Sequence, residues 1–337
     1  MPIFITGGTS SIGRVLVKRL ALDGQAVRVL VRPASDRRGL HLPGVEFVGG
    51  DVTDTASVKR GMEGCDRVIH MAAIVGYNVP PETWWKVNRD GTRAVLQAAL
   101  DQQVKSMVQV STISVLGATA PGEQANERRS IDLSSYTTLY QKTKRAADEM
   151  ARSYVALGLP VKIVYPCFGY GCSWASSHPS MAEMTLLRLA SGKPAVVMGS
   201  GKNTLTLSYY KDTVQGILLA LEKGSDGRDY ILGGPNLTFN EVWQGVGSIL
   251  HKNPPRLHVP VSLLALAGRA ATALTGKQVL PPDFFDMVAL NWNYNSARAQ
   301  NELGWKMTPF RSALAETWSE YQSIQVTAQP AWGNSEL

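Results

Sequence analysis

Short, largely apolar runs alternate with amphipathic stretches along the first half of the chain. The runs occupy residues 3–6, 26–31, 45–48, 67–71, 106–110 and 161–165. Continuous apolar runs are typical of strands that are covered on both faces of a parallel sheet. Apolar positions at three- and four-residue spacing predict helices between them, at 14–20, 55–62, 84–100 and 140–157. The pattern therefore predicts an α/β fold with a doubly wound parallel sheet.

The pattern becomes irregular after Pro166. A stretch rich in Gly, Ser and Pro is followed by a predicted helix at 181–191 and by short strands near 195–198 and 230–232. We expect residues 1–165 to form one domain, to which residues 204–233 return. A smaller, mixed C-terminal substrate lobe is then expected from 166–203 and 234–322, and a flexible tail from 326–337.

Composition places the 337-residue chain among globular proteins, because 44% of its residues are hydrophobic and only 18% are charged. The net charge of +7 fits a solubility surplus or an anionic small-molecule site better than nucleic acid. Cys65, Cys167 and Cys172 form no C-x-x-C pair, which indicates a reducing, cytoplasmic setting. The most apolar segment, 259–273, is too short to span a bilayer. We interpret it as core, with a lid or a helix resting on lipid as alternatives.

A glycine-rich turn leaves the first predicted strand and opens the first helix. It consists of Gly7, Gly8, Thr9, Ser10, Ser11, Ile12 and Gly13. Free backbone amides and the positive end of a helix dipole hold a pyrophosphate at such a turn. Ser10 occupies the middle position, where glycine normally lets the phosphate approach. Between a strand and a helix, the turn predicts a Rossmann-type dinucleotide-binding domain.

The end of the second predicted strand favours NADP(H) over NAD. An NAD site places an acidic residue there for the ribose 2′-hydroxyl, whereas an NADP site has a cation for the 2′-phosphate. Arg32 follows this strand, Arg37 and Arg38 lie just beyond, and residues 25–35 contain no acid. We therefore predict that Arg32 binds the 2′-phosphate. Asp51, which precedes Val52 after the third strand, is expected either near the adenine amino group or as a cap of the next turn.

Tyr140 and Lys144 lie four residues apart and so share one face of a predicted helix. A phenol with a pKa of about 10 exchanges protons poorly at pH 7, and a nearby ammonium favours its ionised form. Hydroxyls at the end of the fifth strand, from Ser111 and Thr112 onward, supply donors for a reacting oxygen. The combination predicts general acid–base chemistry beside the dinucleotide.

These motifs resemble those of the extended short-chain dehydrogenase/reductases, the NAD-dependent epimerase/dehydratase superfamily. The matching segments are TGGTSSIG at 6–13, GDVTD at 50–54, HMAA at 70–73, VNRDGT at 87–92, STIS at 111–114, YQKTK at 140–144, YPCFGYG at 165–171, KDT at 211–213 and NSARAQNELGW at 295–305. The resemblance covers about residues 3–322. Segments 27–40 and 230–242 look most like the dihydroflavonol-reductase-like group, which includes hopanoid-associated sugar epimerases.

The resemblance implies roles for the residues of the acid–base site. Thr112 matches the catalytic hydroxyl, with Ser111 as second choice. Tyr140 matches the general acid/base, and Lys144 the residue that lowers the tyrosine pKa and binds the nicotinamide ribose. Pro166 matches the residue that ends a strand beside the nicotinamide.

It also implies roles along the cofactor path. Ala72 and Ala73 match residues that line the pyrophosphate and adenine, and Asn88 matches a structural asparagine. The chain departs from the family pattern at Ser10 and at Lys211, where an acid often precedes Asp212.

Three functions are compatible with these motifs. Dehydratases of the superfamily carry an Asp-Glu pair after the catalytic threonine, whereas Thr112 is followed by Ile113 and Ser114. We favour an NADPH-dependent reductase acting on the carbonyl of a bulky, apolar small molecule, since Arg32 suits a dissociable NADPH. The alternatives are an NAD(P)-dependent sugar-nucleotide epimerase and a non-catalytic NADP(H)-sensing protein, whose relatives usually lack the Tyr/Lys pair.

Substrate contacts are expected from aromatic residues of the irregular half. The candidates, besides Ser111, are Phe168, Tyr170, Trp174, Tyr209 and Trp292. The five histidines lack the spacing of a zinc site, so no metal is predicted. A homodimer is expected by resemblance alone.

Overall fold

The computed structural model describes residues 1–75, 79–172, 180–275, 285 and 287–327. Within them, seven parallel strands form the central sheet, in the order β10-β6-β5-β4-β1-β2-β3. The strands are β1 Ile3–Thr6, β2 Val27–Val31, β3 Val45–Gly49, β4 Arg67–His70, β5 Ser106–Val110, β6 Val161–Pro166 and β10 Asp229–Leu232. This sheet confirms the predicted Rossmann-type fold, and the first six strands agree with the apolar runs to within one residue at each end.

Helices cover both faces of the sheet. They are α1 Ser11–Leu22, α2 Thr55–Met62, α4 Gly91–Asp101, α5 Leu139–Ala156 and α7 Tyr210–Lys223. Alternate residues of β1 enter different cores: Phe4 packs with α2, α4 and α5, whereas Ile3 and Ile5 pack with α1 and α7. Because successive strand residues point to opposite faces, a fully apolar strand is what a two-sided sheet requires.

The helix predicted at 84–100 is divided into three pieces. Residues Pro81–Trp84 form α3, Trp85–Asp90 form a π-helix, and Gly91–Asp101 form α4. A π-helix is a wider turn that is rare and is frequent at functional sites. Periodicity does not reveal it, because one wide turn leaves the apolar spacing on either side intact.

A smaller, mixed part of the fold lies beyond β6. Strands β7 Phe168–Tyr170, β9 Thr204–Tyr209 and β11 Asn236–Thr238 form one sheet, and β8 Val197–Met198 pairs with β12 His258–Val259. Its helices are α6 Met181–Ala190, α8 Phe239–Leu250, α9 Val261–Thr275, α10 Ala297–Leu303 and α11 Phe310–Thr327. The chain thus leaves the central sheet at Pro166 and returns to it at β10, whereas β9 stays in the smaller sheet. The domain boundaries themselves stay a prediction.

Charged groups fix the returning strand β10 to the central sheet. Asp229 accepts a hydrogen bond from Arg152 on α5 at 2.6 Å and pairs with Arg298 on α10. Glu127 also lies beside Arg298, and its carboxylate accepts a hydrogen bond from the Ile231 amide at 3.0 Å. These contacts compensate the buried charges and hold β10, α5 and α10 together.

None of the helices that the structure describes is both long and apolar enough to cross a bilayer.

Candidate active site

The carboxyl ends of β1 and β4 lie against each other at the glycine turn. Gly7 has φ +76°, and a Cβ there would lie 2.7 Å from the Ala72 amide nitrogen. That amide donates a hydrogen bond to Thr6 Oγ1 at 3.2 Å. The left-handed conformation and the close approach both require glycine. The backbone geometry alone therefore requires glycine at position 7, with or without a bound ligand.

The N-terminus of α1 begins immediately after this turn. Ser10 caps it: its hydroxyl accepts the Gly13 amide at 3.1 Å and donates to the Gly7 carbonyl at 2.8 Å. A Cβ at Gly13 would collide with the same carbonyl. The amides of Ser11 and Ile12, at the first two helical positions, have no carbonyl partner within the helix. Two free amides at a positive helix end fit a pyrophosphate, and the Ser10 hydroxyl organises the turn in place of the usual glycine.

Arg14 ties the glycine turn to the loop after β2, a contact that the sequence analysis did not anticipate. The side chain is buried and donates to the carbonyls of Thr9 at 3.1 Å, Asp36 at 2.5 Å and Arg38 at 2.8 Å. An ion pair with the Asp36 carboxylate adds to these bonds. The only sequence signal for this role was a cation on the buried face of a predicted helix. The loop that carries Arg32 is thereby held against the turn.

Arg32 itself is exposed at the carboxyl end of β2 and has no ion pair with any described residue. The neighbouring cations are engaged: Arg37 stacks on the Phe47 ring at 5.7 Å, and Arg38 pairs with Asp36 at 2.8 Å. Among the three predicted cations, Arg32 is the one available for an anionic ligand.

Asp51 is used locally in the structure. Its Oδ1 accepts both the Thr53 amide at 2.8 Å and the Thr53 hydroxyl at 2.9 Å. Val52 is buried, and a Cβ at Gly91 would lie 2.8 Å from its side chain. These contacts agree with the turn-capping alternative for Asp51, and an adenine contact stays a prediction.

A buried chain of polar groups runs beneath the Ala72–Ala73 strand end. His70 Nδ1 lies 2.6 Å from Thr6 Oγ1, and His70 Nε2 lies 3.0 Å from Thr92 Oγ1. Burial, together with the charge of Lys144, lowers the pKa of His70 to about 3. The imidazole is therefore neutral at pH 7, which suits a bridge between two hydroxyls.

Asn88 connects the π-helix to α5, the helix that carries Tyr140 and Lys144. Its Oδ1 accepts the Ile74 amide at 2.7 Å, and its Nδ2 donates to the Ile74 carbonyl and, at 3.0 Å, to Thr143 Oγ1 on α5. Thr143 lies between Tyr140 and Lys144 in sequence, so Asn88 sets the position of the helix that carries them. This geometry agrees with the structural role that the resemblance implies.

Replacing Asn88 with alanine is expected to lower the free energy of unfolding by about 2–3 kcal/mol, because the half-buried Ile74 amide and carbonyl lose their partner and the buried Thr143 hydroxyl loses a donor. Urea unfolding of the purified protein measures the change. The matched control is Asn126→Ala, since Asn126 is exposed and accepts only the Arg128 amide. A loss below 1 kcal/mol for Asn88→Ala would contradict the assignment.

Tyr140 occupies the first turn of α5 and faces the end of β5. Its hydroxyl lies near the Thr112 side chain, and its ring meets Trp84 edge-on at 6.3 Å between centroids. Burial raises the pKa of Tyr140 above its usual value, and the nearby Thr112 side chain opposes this rise. The hydroxyl therefore keeps its proton at neutral pH, as a proton donor requires. The Trp84 contact is a second feature that spacing alone did not reveal.

Lys144 is buried one turn further along α5. Its Nζ donates to the Val110 carbonyl at 2.9 Å. Burial lowers the pKa of Lys144 to about 8, although the Asp148 carboxylate raises it. The predicted effect of Lys144 on the tyrosine is not visible here: the described contacts of the phenol are Thr112 and Trp84, and the ammonium bonds the backbone instead.

The predicted substrate residues differ in exposure. Ser111 is buried, and its hydroxyl has no partner among the described residues. Phe168 is half-buried and meets Trp292 edge-on at 5.7 Å. Tyr170, Tyr209 and Trp292 lie within the core, where Tyr209 donates to Glu316 at 2.8 Å and Trp292 to the Met287 carbonyl at 3.0 Å.

Several other positions complete the predicted set. Ala73 is half-buried beside Ala72, and Pro166 ends β6, where it pairs with Leu232. Lys211 forms ion pairs with Glu316 and Glu320 on α11, so it joins α7 to the C-terminal helix. Trp174 lies outside the described residues. A substrate role for the aromatic residues stays a prediction.

Comparison with known proteins connects this geometry to a family. The model of the family described as "NAD dependent epimerase/dehydratase family" matches residues 3–233. Sterol demethylase protein B of Methylococcus capsulatus is 29% identical over 329 residues, which are 94% of this chain and 97% of that protein. A ketoreductase of Stigmatella aurantiaca, named for 4-hydroxy-2-methyl-3-oxo-4-farnesyl-3,4-dihydroquinoline-1-oxide, is 28% identical over 69% of this chain and 68% of its own.

A solved structure gives a fold-level match. A double mutant of DesIV, a dTDP-glucose 4,6-dehydratase from Streptomyces venezuelae, was crystallised with NAD bound. It superposes with a TM-score of 0.78 at 25% identity, covering 98% of this chain and 99% of that one. The resemblance inferred from the motifs is confirmed.

Proposed function

Because the chain belongs to the NAD dependent epimerase/dehydratase family, an enzyme family with reductase and epimerase members, we propose that it is an NADPH-dependent carbonyl reductase. The substrate class is a bulky, apolar small molecule. The observation that carries the proposal is the juxtaposition of the Tyr140 hydroxyl and the Thr112 side chain on the face of α5 that also holds the buried Lys144. The names of two relatives, a sterol demethylase protein and a ketoreductase with a farnesyl substrate, support the apolar class.

The residues at the end of β5 suit carbonyl reduction. A nicotinamide cofactor, when bound, would supply the hydride that the carbonyl carbon needs. Thr112 positions the carbonyl oxygen, and Tyr140 gives that oxygen its proton, which completes the alcohol. The phenolate left on Tyr140 regains a proton from water. Lys144, charged below its pKa of about 8, stabilises the phenolate while it exists.

The cofactor site is proposed along the carboxyl edge of the sheet. The amides of Ser11 and Ile12 would hold the pyrophosphate, with Gly7 and Ala72 forming the wall beneath it. Arg32 would hold the 2′-phosphate, on a loop that Arg14 fixes to the turn. The DesIV double mutant was crystallised with NAD, which lacks the 2′-phosphate, so a comparison of NADPH with NADH tests this role of Arg32.

Replacing Arg32 with alanine is expected to weaken NADPH binding by about 10- to 100-fold and to leave NADH binding nearly unchanged. The reason is that a charge-assisted bond to the 2′-phosphate is lost, and NADH has no such phosphate. Calorimetric titration of each cofactor measures the ratio. Arg38→Ala is the matched control, because Arg38 is exposed on the same loop but pairs with Asp36. Equal affinity of the unmodified protein for NADH and NADPH would refute NADP specificity.

The reaction class is tested by net turnover. NADPH is mixed with the purified protein and a panel of bulky ketones, and its oxidation is followed together with the alcohol product. A reductase consumes one NADPH for each alcohol formed. No net consumption, with sugar-nucleotide epimers formed instead, would replace the proposal with the epimerase alternative. Binding without any turnover would favour a sensor.

A further inference from the structure

Helix α9 is apolar on both its inner and its outer side. Val261, Leu264 and Ala265 pack against the core. The opposite side presents Leu263, Leu266 and Leu274, which are 56%, 63% and 87% exposed. Residues 267, 270 and 273, all alanine, lie exposed between these leucines. An outer face of this kind marks a binding surface, because an ordinary surface helix is polar on that side.

The positive charge of the chain is concentrated in the segments around this helix. Residues 184–211 and 242–282 contain eight Lys and Arg but no Asp or Glu. The whole chain has 34 basic and 27 acidic residues, so the remainder carries 26 basic against 27 acidic ones. The entire basic excess therefore comes from these two segments.

The two segments meet at the start of α9. Strand β8, from the first, pairs with β12, from the second, and the Gly199 amide donates to the Val259 carbonyl at 2.8 Å. Leu257, just before β12, is 63% exposed. Two exposed cations on these segments, Arg188 and Lys252, donate to backbone carbonyls. Four further exposed cations form neither an ion pair nor a side-chain hydrogen bond with a described residue: Lys193, Lys202, Arg256 and Arg269.

We propose that the outer face of α9 docks on the surface of an anionic phospholipid bilayer. The leucines would enter the acyl boundary, and the four cations would face the phosphate headgroups. The helix has 15 residues, which is too short to span a bilayer but sufficient to lie in its surface. A second copy fits less well, because a symmetric contact would bring together two copies of segments that contain Lys and Arg but no Asp or Glu. The proposal is independent of the carbonyl reductase proposal.

The test is cosedimentation of the full chain with vesicles of phosphatidylcholine, with and without phosphatidylglycerol. We expect binding to the vesicles that contain phosphatidylglycerol, with binding weakened by added salt. Replacing Leu263 and Leu266 together with serine is expected to weaken binding at least tenfold, because two leucines no longer transfer into lipid. Replacing Arg256 and Arg269 with serine is expected to weaken it about tenfold and to reduce its salt dependence.

The matched control replaces Leu22 and Leu157 with serine. These leucines are 83% and 62% exposed but lie at the ends of α1 and α5, away from the acid-free segments. The control should bind vesicles like the unmodified protein, and all variants should unfold at similar urea concentrations, because every replaced side chain is at the surface.

Two results would overturn the proposal. One is the absence of binding to phosphatidylglycerol vesicles, or binding that the α9 leucine variant leaves unchanged. The other is self-association that this variant abolishes while no vesicle binding is seen, which would assign the face to a second copy. Because the assay needs neither cofactor nor substrate, either result leaves the NADPH turnover assay to decide the enzymatic function separately.

Discussion

Tyr140→Phe is expected to lower kcat for NADPH-dependent carbonyl reduction by about 1000-fold, or about 4 kcal/mol of transition-state stabilisation. The phenylalanine keeps the ring that packs edge-on against Trp84 but removes the hydroxyl that lies near Thr112. KM should change little, because the lost interaction is a proton transfer that occurs only in the transition state. Initial rates of NADPH oxidation with an active ketone measure both constants.

The matched control for this variant is Tyr154→Phe on the same helix. Tyr154 is buried and donates to Gln97 at 2.9 Å, so its loss costs a comparable hydrogen bond at a position outside the site. We expect kcat of Tyr154→Phe to stay within about threefold of the unmodified enzyme. If Tyr140→Phe retained more than a tenth of kcat, Tyr140 would not be the acid.

Lys144→Met is expected to stabilise the cofactor-free protein by about 2 kcal/mol while removing most activity. Burial lowers the pKa of Lys144 to about 8, so at pH 7 the folded state holds an ammonium in a poorly solvated place. Methionine fills similar space without this cost, although the Val110 carbonyl loses its donor. Urea unfolding at pH 7 measures the gain, and Lys142→Met, an exposed neighbour on α5, should show none.

The stability difference between the unmodified protein and Lys144→Met should shrink as pH rises from about 8 to 10.5. In this window the folded lysine has lost its proton and the unfolded lysine still carries one, so the unfolded state binds more protons. The unmodified protein therefore gains stability with pH relative to the variant, by up to about 1.4 kcal/mol for each pH unit. A variant that is less stable than the unmodified protein at pH 7, or a stability difference independent of pH, would contradict a charged Lys144 that burial destabilises.

Under the proposed mechanism, Lys144 lowers the stability of the folded protein in return for activity. A buried cation reduces stability in the free protein and becomes useful when a phenolate forms beside it, which is the usual exchange between stability and activity. In the structure the ammonium donates a hydrogen bond to the Val110 carbonyl, and the phenol lies near Thr112. The coupling of Tyr140 to Lys144 is therefore expected in the loaded enzyme, where the phenolate and the nicotinamide ribose are present.

The local sequence pattern was sufficient to predict strands β1 to β6, the glycine turn and the pairing of Tyr140 with Lys144. Continuous apolar runs located β1 to β6 because a strand covered on both faces needs apolar residues at every position. The glycine turn was readable because Gly7 and Gly13 lie where any side chain would strike the backbone. The four-residue spacing placed Tyr140 and Lys144 on one helix face, since 3.6 residues complete a turn.

Long-range contacts set the rest, because they depend on which elements meet and not on spacing. The Arg14 tether to the Arg32 loop, the π-turn that aims Asn88 at α5, and the edge contact of Trp84 with Tyr140 each join segments distant in sequence. Tyr170, Tyr209 and Trp292 were predicted to contact substrate; the structure shows that their side chains are buried, and their substrate role stays a prediction. The outer face of α9 shows the opposite case. From the sequence, the apolar segment 259–273 was interpreted as core, whereas the structure shows that one side of α9 packs against the core and the other side is exposed.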